Sequence, residues 1–154
     1  MLAIQFYDCV VALHVASIVI AFGVTFAYPI MGPFMGQNAP QALPAFHRLQ
    51  ERIGKLLITP FGALAFLTGI YLAADADLFS KVWVTVPMII LIVLLGLGGA
   101  FFAPNARKLA ELAETKPGSP EYMAGVQRVA KVGMLTDVLI LTAIFFMVAK
   151  PGGY

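Results

Sequence analysis

Charge is the scarcest commodity in this sequence. Only 12% of its 154 residues are charged, where soluble domains carry about a quarter. A small domain has a large surface for its volume, and a chain this poor in polar side chains cannot cover that surface in water. Cysteine is almost missing: Cys9 stands alone, which excludes an internal disulfide and a multi-cysteine metal framework. The two histidines, His14 and His47, leave little for a zinc site. The basic residues are scattered rather than clustered, so the net charge of +2 does not describe a nucleic-acid surface. The N-terminus has no basic n-region, and no small-residue cleavage site follows its apolar stretch, so no cleavable signal peptide is expected. Phosphate-binding loops, nucleophile elbows and zinc-protease spacings do not occur.

What the chain has is oil-soluble surface. It is 60% hydrophobic, with a mean hydropathy of +0.89. Four apolar stretches, at about 4–31, 56–74, 82–103 and 132–149, each approach the ~20 residues that cross a hydrocarbon core. Backbone polar groups in lipid need internal partners, and four segments are too few for a barrel. The expected fold class is therefore all-α: one transmembrane domain over 1–154, built as a four-helix bundle. Pro29, Pro33, Pro40 and Pro44 forbid a single helix between spans one and two, so a broken loop is expected there. From Ala45 to Lys55 the apolar residues Phe46, Leu49 and Ile53 recur at helical spacing opposite His47, Arg48, Glu51 and Arg52. That pattern reads as a short amphipathic helix lying at the interface. After span three, residues 104–115 read as a polar extension with Arg107 and Glu111 paired at i,i+4. Ser119 and Pro120 are placed to start the fourth helix, whose first part is expected to stand in water.

Basic residues orient the bundle. Arg48, Arg52 and Lys55 fall between spans one and two; Arg107, Lys108, Lys116, Arg128 and Lys131 fall between three and four. Only Lys81 and Lys150 remain for the other side. The positive-inside rule then puts both long loops in the cytoplasm and both termini outside, in a cell inner (plasma) membrane. Tyr7, Tyr71 and Trp83 would mark the outer interface and Tyr28 the inner one.

Few polar residues lie deep in the spans. Tyr7, His14, Ser17, Ala21, Thr25 and Tyr28 share one face of span one, and a polar and small stripe in lipid points at neighbouring helices. His14 is either a neutral imidazole gluing two helices together or a functional group. Met88 and Met147 fall in the same outer layer, and an imidazole with a thioether is a ligand set for haem b or for copper. His47 belongs at the opposite face, as a solvated interfacial side chain. Met31 and Met35 are a weaker copper pair. Asp137 lies inside span four, where an unpaired carboxylate costs ~2.5–3.5 kcal/mol; a pair with Lys55 or Arg107 is expected to fix helix packing. Gly96, Gly98 and Gly99 are expected at a close helix contact.

These residues carry a resemblance. Leu13-His14-Val15 with Gly23, Thr68-Gly69-Ile70-Tyr71-Leu72, Trp83-Val84, Ala103-Pro104-Asn105-Ala106-Arg107, Asp137 and Lys150-Pro151-Gly152 resemble, over nearly the whole chain, a family of short bacterial integral membrane proteins of unknown function. Span one is similar, more distantly, to copper-resistance D-type membrane proteins and to haem-containing membrane protoporphyrinogen oxidases. There a histidine in the place of His14 is followed by Trp-x-Gly or Trp-Ala-Gly; here the stretch is Ala21-Phe22-Gly23, and the tryptophan is missing.

Three functions are compatible with this reading. The first is a non-enzymatic membrane component, an accessory subunit of a larger assembly or a homo-oligomer, with the polar stripe as packing. The second is a redox or metal-handling protein with haem b or copper at His14. The third is a small transporter, for which His14 and Asp137 are the only ionisable residues deep in the spans, at opposite depths.

Overall fold

The computed structural model describes residues 5–153 and is helical throughout, with no strand among the described residues. Four helical segments are long and apolar enough to cross a membrane: Phe6–Asn38, Pro40–Asp75, Val82–Thr115 and Pro120–Ala149. The expected start of span one at Ile4 lies outside the described residues. Their outward faces are oily: Phe6, Ile30, Leu67, Phe145 and Val148 are each more than 60% exposed. Apolar patches of that extent are unfavourable in water and comfortable in lipid.

The first segment is α1 (Phe6–Phe22), a tight 3-10 turn over Gly23–Ala27, and α2 (Tyr28–Asn38). The proline-rich stretch expected as a loop is thus largely helical. Pro29 sits in the first turn of α2, where the missing N–H would have had no partner anyway. The break is deferred to Ala39, at φ −148° and ψ 58°, just before Pro40. Then α3 (Leu43–Ile53) runs with Pro44 in its first turn. It carries His47, Arg48, Gln50, Glu51 and Arg52, too polar to cross lipid, so the crossing part of the second segment begins beyond it.

Helices α4 (Thr59–Asp75) and α6 (Ala103–Thr115) each follow a π turn, Gly54–Ile58 and Gly98–Phe102. Each has proline as its second residue, Pro60 and Pro104. A proline ring clashes with the carbonyl four residues back, and widening the preceding turn is one way to admit it. Thr59 Oγ1 donates to Gly54 O at 2.9 Å across the first of these turns. The third segment opens with α5 (Val82–Leu97). The fourth is α7 (Pro120–Ala149), started by Ser119, whose hydroxyl accepts from the Tyr122 N–H at 3.2 Å. At a 1.5 Å rise its 30 residues span about 45 Å.

Three packed layers stack along the bundle. The middle one joins Ala21, Phe22, Ala65, Ile90, Leu91, Leu94 and Ile140 from all four segments. At the end bearing the chain termini, Ala73, Trp83 and Val84 pack with Leu78, Met88, Phe146 and Met147. At the other, basic end, Leu109, Leu112, Ala113 and Tyr122 form a core of their own with Leu43 and Val126. Most of the start of α7 is exposed, Glu121, Gln127, Arg128 and Lys131 included; Tyr122 departs from this at 5% exposure, because it packs in the core that α6 and α3 form with α7. Close approach falls at Gly62, where an added Cβ would lie 2.8 Å from Leu95 Cδ2. It does not fall at Gly96, Gly98 or Gly99, around which a Cβ would meet nothing within 4 Å; the latter two shape the second π turn instead.

Candidate functional site

The polar stripe of α1 packs against α4. Ser17 and Ala21 are fully buried there, and Ser17 Oγ closes on its own helix, donating to Leu13 O at 2.7 Å. One turn towards the terminal end, His14 reaches across: its Nδ1 lies 2.8 Å from Ala65 O and 3.1 Å from Thr68 Oγ1. A carbonyl oxygen can only accept, so Nδ1 carries the proton. The Thr68 hydroxyl spends its own proton on Leu64 O at 2.7 Å and accepts from the imidazole. That assignment leaves Nε2 of the neutral ring as a lone-pair acceptor. The ring fits because residue 69 is glycine: a Cβ there would lie 3.0 Å from His14 Cε1.

His14 lines a cavity of about 470 Å³ between the spans, walled by apolar side chains such as Phe22, Leu91 and Ile140. Met88 and Met147 line the same cavity, as does Lys150 at the terminal end. The three residues grouped from sequence therefore share one space. Both methionines also pack on the Trp83 layer, the ordinary work of a flexible thioether. The chain end folds over this layer: Trp83 Nε1 donates to Gly153 O at 3.1 Å, and Lys150 Nζ stands 5.0 Å from the indole centroid. Lys150 turns the chain there in the left-handed region, at φ 46°. Nothing in the spacing of residues signalled that closure.

Among the described residues no three His, Cys, Asp or Glu side chains come together as a metal site. Copper at His14 would thus depend on thioether partners.

The ion pairs differ from those expected. Asp137 does not pair with Lys55 or Arg107; its Oδ1 accepts from Thr25 Oγ1 at 2.8 Å. Lys55 and Arg107 converge on Glu51, at 2.7 and 3.0 Å, and Arg107 goes there rather than to Glu111. The reason is geometric: α3 packs directly on α6, bringing Glu51 within reach of both cations, whereas Asp137 faces the polar stripe of α1. The two cations hold the Glu51 carboxyl below its ordinary value, mainly through their hydrogen bonds.

His47 is likewise not solvated. It is 5% exposed, with Nδ1 2.9 Å from Gln50 Oε1 and Nε2 2.9 Å from Tyr122 Oη. An amide oxygen accepts, so Nδ1 is protonated and the tyrosine hydroxyl donates to Nε2. Burial lowers its pKa, opposed by the bond to Gln50.

No protein-family model, curated protein or solved structure matches the chain. Function has to be argued from the geometry.

Proposed function

We propose that this chain is a non-enzymatic, multi-pass inner-membrane protein that holds a hydrophobic ligand in the cavity beside His14. In this reading both termini lie outside, and His14 supplies the polar contact. One observation carries the reading: the bond from His14 Nδ1 to Ala65 O sets the tautomer, leaving an acceptor nitrogen on a residue that lines a cavity of about 470 Å³. Small-molecule sites are commonly of this kind, about 300–1,000 Å³, mostly apolar, with a few polar groups that orient the ligand. The ligand class is an apolar molecule bearing a hydroxyl or N–H donor for Nε2.

A second reading places haem b or copper at the same nitrogen. It is favoured by the two thioethers lining the cavity, and by the carbonyl bond itself, since metal-bound imidazoles characteristically donate their other N–H to a carbonyl or carboxylate.

Purification in mild detergent, followed by absorption spectroscopy and mass spectrometry of an organic extract, separates the two. A co-purifying apolar compound, lost in His14→Ala and in the cavity-filling Ala143→Phe, supports the first. A Soret band abolished by His14→Ala supports the second. A colourless, metal-free sample with no co-purifying compound sinks both and leaves His14 as helix packing.

A further inference from the structure

At the opposite end of the molecule, remote from His14, a second cavity of about 300 Å³ opens between α3 and α6. Four cations line it, Arg48, Arg52, Lys55 and Arg107, against two carboxylates, Glu51 and Glu111. The charges are unequally engaged. Glu51 is shared by Lys55 and Arg107, Arg48 reaches Glu114 at 2.6 Å, and Arg52 has no ion pair among the described residues. The side chains of Arg107 and Lys55 stay about 60% exposed while bonded to Glu51, and a guanidinium or ammonium has more donors than one carboxylate oxygen takes up. The same stretch of chain also bears exposed apolar side chains outside the cavity lining: Leu49, Leu56 and Leu57 are 49, 68 and 37% exposed.

We infer that this cavity is a binding site for the phosphate of an anionic glycerophospholipid. The cations are positioned for the headgroup, and the exposed leucines continue into the lipid-facing surface where acyl chains lie. Two facts favour a lipid over a free anion. α3 runs through the Gly54–Ile58 turn directly into α4, part of a segment apolar enough to cross a membrane, which would put the site at the depth of headgroups. Basic pockets beside crossing helices are also recognisable as headgroup sites, each Lys or Arg near an anionic surface contributing about five-fold in affinity. The inference is independent of any ligand at His14.

The test uses the full chain in nanodiscs of phosphatidylcholine alone and of equal parts phosphatidylcholine and phosphatidylglycerol. Lipids retained after transfer to mild detergent are then identified by native mass spectrometry. Wild type should retain phosphatidylglycerol in preference to phosphatidylcholine. Arg52→Gln, which breaks no ion pair, should lower that preference about five-fold with helicity unchanged, and Glu111→Gln should raise it. Equal retention of the two lipids overturns the inference, as does an Arg52→Gln protein indistinguishable from wild type. A third overturning result is loss of the bound lipid on adding glycerol phosphate at matched ionic strength, which assigns the site to a soluble phosphate.

Discussion

His47 shows how a single side chain can tie pH to stability. Its ring is wedged between Gln50 and Tyr122 and tilted against Phe46 at 5.6 Å, an arrangement that needs the neutral form to accept from the tyrosine. Burial lowers its pKa below the ordinary 6.5, so between the lowered value and 6.5 the unfolded chain binds more protons than the folded one. Stability from this residue is therefore complete above 6.5 and is lost as pH falls below it towards the folded value. Thermal unfolding in detergent should occur at lower temperature near pH 5.5 than near pH 7.5. In His47→Gln most of that difference should vanish; an equal slope in both proteins assigns it to other groups. His14 differs in that its bonds to α4 engage Nδ1 alone, whereas Nε2 of His47 is taken by Tyr122, and this makes Nε2 of His14 the better ligand-binding nitrogen.

Between elements, glycine position decides how closely the spans approach. Gly62 on α4 faces Leu95 on α5, with 2.8 Å left for any Cβ, in the middle of the four-segment core. Gly62→Ala should be less stable than Gly98→Ala, because the Leu95 side chain has to shift to admit the methyl. Gly98→Ala, with open space around it, should be neutral or gain up to about 1 kcal/mol. Thermal denaturation of the two variants side by side checks this, and equal losses would mean that the spans do not meet at Gly62. A sequence pattern cannot separate these glycines, because both lie at helical spacing in apolar runs. The same limit explains Asp137: its partner, Thr25 in the turn after α1, depends on which faces of the first segment and α7 meet.

For the whole molecule, the expected topology rests on the distribution of basic residues. In a Cys9→Ser background, an impermeant thiol reagent should label Asp75→Cys, at the end of α4, on intact cells. It should label Thr115→Cys, at the end of α6, only after the membrane is opened. The reverse pattern inverts the bundle, and with it the side of the membrane that His14 serves. The three-layered core is the frame for both sites: the terminal layer closes one end of the His14 cavity, and the basic layer holds α3 against α6 beside the four cations.

Hydrophobic length acts residue by residue, so an all-helical chain with four segments long and apolar enough to cross a membrane was legible in the order of amino acids alone. So was the placing of Met88 and Met147 near His14, with which they line one cavity. The helical path through Pro29 and Pro33, the burial of His47, the partners of Asp137, Lys55 and Arg107, and the fold-back of Lys150 onto Trp83 were not. Apart from the local helix through the prolines and the i,i+4 pair of Lys55 with Glu51, these are contacts between segments distant in the chain, settled by which faces pack together, and in a segment apolar on every side no periodicity marks the inward face.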